Sequence, residues 1–257
     1  MGQLLNSYNV MGRRINESIE KIYVYQLNQK QTELKMLQFQ INPHFLYNTL
    51  NTVSSIAALE DINEIVKIAD NLSAMFQYNI KGDDIVQVSK EIQHVKNYLE
   101  IQEIRFPGKY EFIYEISPSI HHQKMLKFLL QPLVENSLQH AFLKMKRVNR
   151  ICLRAMVDEE QNLYFFIRDN GVGMGSREVE RLNRELADTN TRTLVNRVDK
   201  GIGLRNVNAR IKNFYGKDYG IQVQSEEGQY TEIMIHICLP DHTEQGEGKD
   251  EDFNSRR

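Results

Sequence analysis

The hydrophobic pattern of this chain changes at Pro107-Gly108, and this change limits the folds that the chain can adopt. Before it, apolar residues recur three and four positions apart, as on one face of an α-helix. After it, residues 112–116 alternate between the two faces of an extended segment, as in a half-buried β-strand. The 257 residues therefore predict a helical part followed by an α+β part.

The first 41 residues carry a narrow apolar seam. Its members lie three, four or seven positions apart from Leu4 to Ile41, with one change of phase near Ile19. A single helix with so thin a stripe would have nothing to bury it against, so the seam predicts a partner helix and hence a homodimer. The change of phase allows two packings, which predicts a signal relay; the alternative is an inert spacer that only dimerises.

The rest of the helical part predicts a hairpin and one more helix. Apolar stripes over residues 46–57 and 65–76 flank the turn-like residues 60–63. Another helix is expected over residues 89–106, with Ser89 as its N-cap.

The α+β part predicts helices on one face of a mixed sheet, which is an α/β sandwich. The pattern favours a helix over 125–142, a helix ending near 215, and strands over 149–157, 162–169, 220–225 and 230–239. The polar segment 175–200 is expected to be a mobile lid, because few buried contacts mean low local stability. Residues 243–257 contain no aliphatic side chain and predict a disordered tail.

Composition excludes several functional classes. Thirty-two Lys and Arg residues against 34 Asp and Glu residues leave a formal charge of −2, so no basic field attracts nucleic acid. No run approaches the roughly 20 apolar residues of a membrane span, and the chain as given is expected in the cytoplasm. Cys152 and Cys238 lie far from any metal-binding pattern, which favours structural thiols.

Two glycine motifs point to a ligand site. DNGVGM at residues 169–174 ends a strand with an acid, and its glycines permit a sharp turn and the approach of a flat ligand. GIGLRN at residues 201–206 places two glycines before a helix, where backbone N–H groups bind phosphate. Each motif alone fits an ordinary turn or helix start, but the two in this order are far more specific.

A third motif, ENSLQH at residues 135–140, follows the boundary between the two parts. Asn136 and His140 are four positions apart and share a helix face. An amide oxygen suits Mg²⁺, which accepts one or two protein oxygens and completes its shell with phosphate and water. The alternative is a solvated polar face.

Taken together, these motifs resemble a known family. Asn136, DNGVGM and GIGLRN in this order are similar to the N, G1 and G2 boxes of the nucleotide fold shared by gyrase, MutL, heat-shock chaperones and histidine kinases. QINPHFLYNTL at residues 40–50 and LQPLVEN at residues 130–136 narrow the resemblance to LytS/YesM-type sensor histidine kinases. The likeness covers residues 34–240, and residues 1–33 resemble the signalling helix that follows a HAMP module.

The resemblance implies a role for individual residues. His44 would receive the γ-phosphoryl group of ATP, Asn136 would bind Mg²⁺, and Asp169, helped by Thr231, would recognise the adenine amine. Gly201 and Gly203 would let the lid lie against the phosphates. The other candidate nucleotide contacts are His140, Gly171, Gly173, Leu204 and Asn206.

The chain also departs from the family pattern. The usual Gly-x-Gly-Thr before the last strand reads GQYT at residues 228–231, and Phe45 stands where many histidine kinases carry an acid. Glu135 is the nearest motif acid and is either the general base or a residue that orients Mg²⁺-bound water. The exposure of His44 is open, because Pro43 breaks the phase of the helix.

The resemblance implies four parts. These are a signalling coiled coil over 1–33, a dimerisation and phosphoacceptor domain over 34–107, an ATP-binding catalytic domain over 108–240 and the tail over 241–257. The expected protein is the cytoplasmic kinase portion of a dimeric sensor that is membrane-anchored upstream of residue 1. It would pass phosphate from His44 to an aspartate in the receiver domain of a response regulator.

Two alternatives keep the nucleotide fold. In the first, the chain is a nucleotide-gated dimeric scaffold without phosphotransfer. In the second, it is an ATP hydrolase of the gyrase or chaperone type. Those enzymes place a glutamate base four residues before the Mg²⁺ asparagine, and Pro132 at that position speaks against the second alternative.

Overall fold

The computed structural model describes residue 29 and residues 43–80, 84–141, 148–188 and 202–239. The chain divides into two compact units, residues 1–52 and 53–257. Every apolar member of the predicted seam lies outside the described residues, as does the predicted tail. The division into four parts stays a prediction.

Within the first unit, residues 43–52 form the beginning of helix α1 (Pro43–Leu59). Proline suits the start of a helix, because its missing N–H would have no partner there in any case. In the second unit, α1 ends and helix α2 (Asn63–Ile80) begins after a turn in which Asp61 has a φ of 55°. Ala57 and Ala69 are buried, and Ser54 Oγ donates to Asp70 Oδ1 at 2.7 Å, so the predicted hairpin is confirmed.

Helix α3 (Val88–Arg105) confirms the predicted third helix but not its N-cap. Gln87 is the N-cap residue, and Ser89 belongs to the first turn. The N–H groups of Val88 and Ser89 donate to the carbonyls of Gln123 and His121 at 2.8 and 3.2 Å. Tertiary contacts therefore satisfy two of the free donors of the helix start, where no side chain makes a capping hydrogen bond.

Among the described residues, the main sheet of the second unit has five strands, β2 (Tyr110–Ile116), β4 (Asn149–Val157), β5 (Asn162–Asp169), β6 (Gly220–Glu226) and β7 (Tyr230–Cys238). Their order across the sheet is β2-β4-β5-β7-β6. The β2–β4 pair is parallel and the other pairs are antiparallel. The predicted mixed sheet is thereby confirmed.

One face of this sheet forms the core. Along β5, Leu163, Phe165 and Ile167 are fully buried, whereas the side chains between them are half-buried or exposed. The helices of the unit supply the other side of the core, including Leu133 and Ile211. This is the α/β sandwich that the alternating pattern predicts.

The predicted helix over 125–142 is wrong at its beginning. Residues 124–126 form strand β3 (Lys124–Leu126), which pairs antiparallel with β1 (Ile85–Gln87). Phe128 then adopts a left-handed φ of 58°, which a continuous helix does not allow. Helix α4 is limited to Gln131–Asn136 and continues as a π-helical turn, Ser137–Ala141.

The expected lid over 175–200 is also corrected in its first half. Residues 176–187 form helix α5 (Ser176–Ala187), in which Leu186 is buried. Asn183 Nδ2 donates to Val223 O at 2.8 Å and Asn183 Oδ1 accepts from Val223 N at 2.9 Å, which fixes α5 to β6. The rest of the predicted lid, residues 189–200, lies outside the described residues. Helix α6 (Ile202–Tyr215) follows.

Among the described residues, no helix is both long and apolar enough to cross a membrane.

Candidate functional site

A cavity of about 230 Å³ lies within the second unit, where the loop after β5 meets helices α4, α5 and α6. Its lining brings together residues that are far apart in the sequence, among them Asn136, Asp169, Met174, Leu204, Arg205 and Thr231. Four of these six are predicted site residues. The cavity is therefore the place to test the site that the sequence predicts.

Asp169 is the last residue of β5, and its residue surface is only 2% exposed. Its Oδ1 accepts a hydrogen bond from Gly171 N at 2.9 Å. Burial raises the pKa of the Asp169 carboxyl, and the bond from Gly171 offsets part of this effect. Thr231 lies directly across the β5–β7 ladder from Asp169 and also lines the cavity, so sheet register joins this predicted pair.

The glycines of DNGVGM make room for protein rather than for a ligand. A Cβ atom on Gly171 would lie 2.4 Å from the Ala141 Cβ atom, and one on Gly173 would lie 2.0 Å from the Glu226 carbonyl oxygen. Gly173 also has a φ of 63°, which L side chains rarely adopt. The loop is thus held between the π-helical turn and the β6–β7 hairpin, which positions Asp169.

Asn136, a lining residue of the cavity, lies against Gly203 at the start of α6. A Cβ atom on Gly203 would lie 2.8 Å from Asn136 Nδ2. That nitrogen is buried and has no hydrogen-bond partner in the described structure. A buried polar atom without a partner is costly in a folded protein. The N–H groups of Asn136 Nδ2 can therefore donate a hydrogen bond to an acceptor atom of a ligand. The donor set suits Mg²⁺ held with phosphate oxygens, because Asn136 offers one amide oxygen.

The remaining candidates divide into three groups. Leu204 is buried and lines the cavity. Asn206 is exposed and is not among the lining residues. The backbone of His140 belongs to the π-helical turn, but its side chain lies outside the described structure, as does Gly201.

His44 is on the first turn of α1 in the first unit, and its side chain is exposed. Asn48 Nδ2 lies 3.2 Å from His44 Nδ1 and 3.4 Å from Nε2. The sequence pattern left the exposure of His44 open, and the structure shows that its imidazole is exposed.

Glu135 belongs to a polar chain that runs away from the cavity lining. Gln131 Nε2 donates to Glu135 Oε1 at 2.7 Å, and Gln131 Oε1 is hydrogen-bonded to His94 Nε2. Burial and the nearby Glu135 carboxylate raise the pKa of Tyr98 to about 12. Glu135 is not among the residues that line the cavity. Its role as a base stays a prediction.

Sequence reasoning missed two charged residues of the cavity, Arg205 and Glu185, which form an ion pair. Arg205 was visible inside GIGLRN, but nothing in the sequence links it to a glutamate on another helix. It also missed Ser225, whose hydroxyl accepts from Met174 N at 2.8 Å and donates to Tyr230 O at 2.7 Å. Ser225 thus joins the glycine loop to the β6–β7 hairpin.

Comparison with known families gives two matches along the chain. Residues 32–110 match the family described as histidine kinase. Residues 121–242 match the family described as histidine kinase-, DNA gyrase B-, and HSP90-like ATPase. The two matches cover most of the chain.

Individual relatives agree with these matches. The sensor histidine kinase YesM of Bacillus subtilis is 35% identical over 237 residues, which are 92% of this chain and 38% of that protein. The sensor protein LytS of Bacillus anthracis is 32% identical over 244 residues, which are 90% of this chain and 40% of that protein. The chain therefore spans about two fifths of the length of these relatives.

Among solved structures, a histidine kinase domain from a blue-light activated kinase of Erythrobacter litoralis aligns with a TM-score of 0.43 and 14% identity. The alignment covers 77% of this chain and 94% of that domain. From its two family matches and its relatives, the chain belongs to the histidine kinases of the LytS and YesM type.

Proposed function

We propose that this chain is the cytoplasmic kinase portion of a dimeric two-component sensor, in which Mg²⁺-ATP phosphorylates His44. The observation that carries the proposal is the convergence of Asn136, Asp169, Leu204 and Thr231, which come from four separate segments, on one cavity. Their order and types resemble a nucleotide site, and the accessible imidazole of His44 supplies an acceptor.

Asp169 and Thr231 would bind the adenine. A buried carboxylate can accept a hydrogen bond from the exocyclic amine, and Thr231 lies opposite Asp169 in the β5–β7 ladder and lines the same cavity. The protein shields this contact from water, so it contributes more than the same contact at the surface would. Asp169 would therefore determine the preference for adenine.

Asn136 would hold Mg²⁺ at the other part of the cavity. Bound Mg²⁺ neutralises phosphate charge and orients the phosphate groups. Gly203 lies directly against the Asn136 amide, so the start of α6 would be next to the Mg²⁺ ligand. Catalysis would then consist mainly of positioning and charge neutralisation.

The chemical step transfers one phosphoryl group. A ring nitrogen of His44 forms a bond to the γ-phosphorus, and the bond from that phosphorus to the β–γ bridging oxygen breaks. ADP leaves with the bond electrons, and the imidazole gives up its N–H proton to a base. Glu135 is our candidate for this base. In the alternative, its carboxylate would orient a water molecule bound to Mg²⁺. The phosphoryl group then passes to an aspartate of a response-regulator receiver domain.

Apolar side chains that remain exposed on the helical hairpin support the homodimer. Val53, Ile56, Leu59 and Ile65 are exposed by 41%, 58%, 83% and 41%. An exposed apolar set on neighbouring helices marks an interaction surface. A second copy of the hairpin would bury it, and a membrane sensor upstream of residue 1 would then control the dimer.

Incubation of the whole chain with γ-labelled ATP and Mg²⁺ tests this function. We expect acid-labile, base-stable label on wild type and none on His44→Gln. His121→Gln is the matched control, because His121 is an exposed histidine outside every motif. Equal labelling of wild type and His44→Gln would refute the assignment.

The labelling result, combined with nucleotide binding and phosphate release, distinguishes the kinase from the scaffold and hydrolase alternatives. ADP binding measured by titration calorimetry, together with no protein label from wild type, would show a nucleotide-gated scaffold without phosphotransfer. Free phosphate release without protein label would show a hydrolase.

A further inference from the structure

Arg205 and Glu185 form an ion pair on the wall of the cavity. Arg205 is in the first turn of α6 and Glu185 is near the end of α5, and an Nη2–H group of Arg205 donates to the Glu185 carboxylate. Their side chains are only 14% and 27% exposed, respectively.

The pair leaves hydrogen-bonding capacity of Arg205 unused. Arg205 Nε is buried and has no hydrogen-bond partner in the described structure. A guanidinium carries five N–H donors in a planar fork and binds carboxylate or phosphate best through two parallel bonds. The single bond to Glu185 does not use that geometry, so Arg205 retains donors for a second anion.

The position of Arg205 indicates which anion. Arg205 and Asn136 both line the cavity, and Gly203, two residues before Arg205, lies against the Asn136 amide. The start of α6 also presents backbone N–H groups and the positive end of the helix dipole. The other arginine of the lining, Arg181, is exposed, whereas Arg205 is largely buried.

The helix that carries Glu185 is held in place by other contacts. Asn183 is bonded to the backbone of Val223, and Lys212 Nζ donates to Ala187 O at 3.0 Å. Glu185 can therefore change its partner by side-chain rotation without displacement of α5.

We propose that Arg205 is a phosphate-binding residue of this cavity that pairs with Glu185 in the absence of nucleotide and exchanges that carboxylate for a nucleotide phosphate. The inference rests on the proposed nucleotide-binding function. It assigns specificity for phosphorylated nucleotides over the nucleoside to Arg205, and it makes Glu185 a competitor of the phosphate.

Titration calorimetry of the whole chain with Mg²⁺-ADP and with adenosine tests the exchange. Arg205→Gln is expected to weaken ADP binding roughly 10- to 150-fold, which is typical of a lost hydrogen bond to a charged group. Adenosine affinity should stay within about 2-fold, because the purine contacts are elsewhere. Arg205→Lys should recover part of the loss in ADP affinity, since it keeps the charge but not the fork.

Changes at Glu185 distinguish exchange of the Arg205 partner from general repulsion between the Glu185 carboxylate and the nucleotide phosphates. Glu185→Gln is expected to tighten ADP binding by about 3- to 10-fold, the range for relief of a modest competing interaction. In the Arg205→Gln background the same change should have no effect. Arg184→Gln is the matched control, because Arg184 is an exposed neighbour on α5 outside the cavity lining.

Three outcomes would overturn the inference without overturning the proposed function. The first is an equal gain from Glu185→Gln with and without Arg205, which would show general repulsion. The second is an equal loss of ADP and adenosine binding in Arg205→Gln, which would show a purely structural residue. The third is unchanged ADP affinity in Arg205→Gln while wild type still labels His44, which leaves the proposed function intact. A wild-type chain that binds neither ADP nor adenosine would instead overturn the proposed function, and this inference with it.

Discussion

Two buried carboxylates of the second unit, Glu91 and Asp169, lie in different surroundings. Glu91 on α3 is fully buried and accepts hydrogen bonds from the Tyr78 hydroxyl and from the N–H groups of Phe128 and Leu130, the latter two at 3.0 Å each. We call these four residues the Glu91 cluster. Asp169 is also buried, but it lines a cavity whose wall holds Asn136 Nδ2 and Arg205 Nε, two atoms that have no hydrogen-bond partner among the described residues.

The Glu91 cluster shows what a structural polar network does. Phe128 has a left-handed backbone, a conformation that costs of the order of 1 kcal/mol or more in a non-glycine residue. Glu91 holds its N–H group, and Arg210 Nη1 holds its carbonyl at 3.1 Å. Because Leu130 is the N-cap residue of α4, the cluster also fixes the start of the helix that carries Asn136. Its paired atoms stabilise the fold, whereas the unpaired atoms of the cavity are available to a ligand.

The largest effect should come from opening the Glu91 cluster. Glu91→Ala would leave two backbone N–H groups and one hydroxyl buried without a partner, and we expect a loss of about 3 to 5 kcal/mol in the free energy of unfolding. Urea unfolding measures this loss, with the exposed α3 residue Glu103 changed to Ala as the control. A Glu91→Ala midpoint equal to that of wild type would remove the distinction between the two clusters.

The second prediction concerns Asp169 and separates affinity from stability. Asp169→Asn should weaken ADP binding by about 1.5 to 3 kcal/mol, because a charged acceptor is lost from a buried site. The free energy of unfolding without nucleotide should be equal to that of wild type or higher. The raised pKa shows that burial penalises the charged form, and the Asn oxygen can still accept from Gly171 N. Calorimetry and urea unfolding would contradict us if they showed wild-type ADP affinity and a large loss of stability.

The third prediction adds a methyl group at Gly203, where it would meet the Asn136 side chain of the cavity wall. Gly203→Ala would place its Cβ atom 2.8 Å from Asn136 Nδ2, and overpacking of this kind costs about 1 to 3 kcal/mol. Because the contact is the end of a side chain, Asn136 should rotate away, so the loss should fall on Mg²⁺-dependent ATP binding. Gly175→Ala is the matched control, since Gly175 has a φ of −70° and its nearest contact would be 3.5 Å away. Similar losses of Mg²⁺-dependent binding in both variants would argue against the contact with Asn136.

The smallest effect should be a pH dependence next to the Glu91 cluster. Burial lowers the pKa of His94 below 6.5. Its Nδ1 atom is buried and has no hydrogen-bond partner among the described residues, so no acceptor would stabilise a proton on that nitrogen. The unfolded chain therefore binds the proton first, and stability should fall as the pH drops below about 6.5. The buried Asp169 carboxyl has the opposite sign, because its raised pKa favours the folded state as the pH falls toward 4. Urea unfolding between pH 5 and 8 should show a flatter profile for His94→Gln than for wild type, and an identical slope would refute the assignment to His94.

Local patterns predicted the strands of the sheet well. Strands β4 and β5 begin and end at the expected residues, because each alternates buried and exposed side chains along its whole length. The apolar residues near 125–134 misled the same reasoning. Their spacing fits a helix, but β3 pairs with β1 there. The Leu130 N–H group also donates to the Glu91 carboxylate, 39 positions earlier in the chain, and these two contacts determine the backbone.

The sequence by itself determined the order of the motifs, the change from helical to alternating periodicity and the family that these features resemble. Local spacing carries that information, since side-chain burial repeats with the period of one helix or strand. Only the tertiary structure decided that Thr231 lies beside Asp169, that Gly203 contacts Asn136 and that Arg205 pairs with Glu185. These contacts join segments far apart in the chain, and strand register and helix packing, rather than local spacing, bring them together.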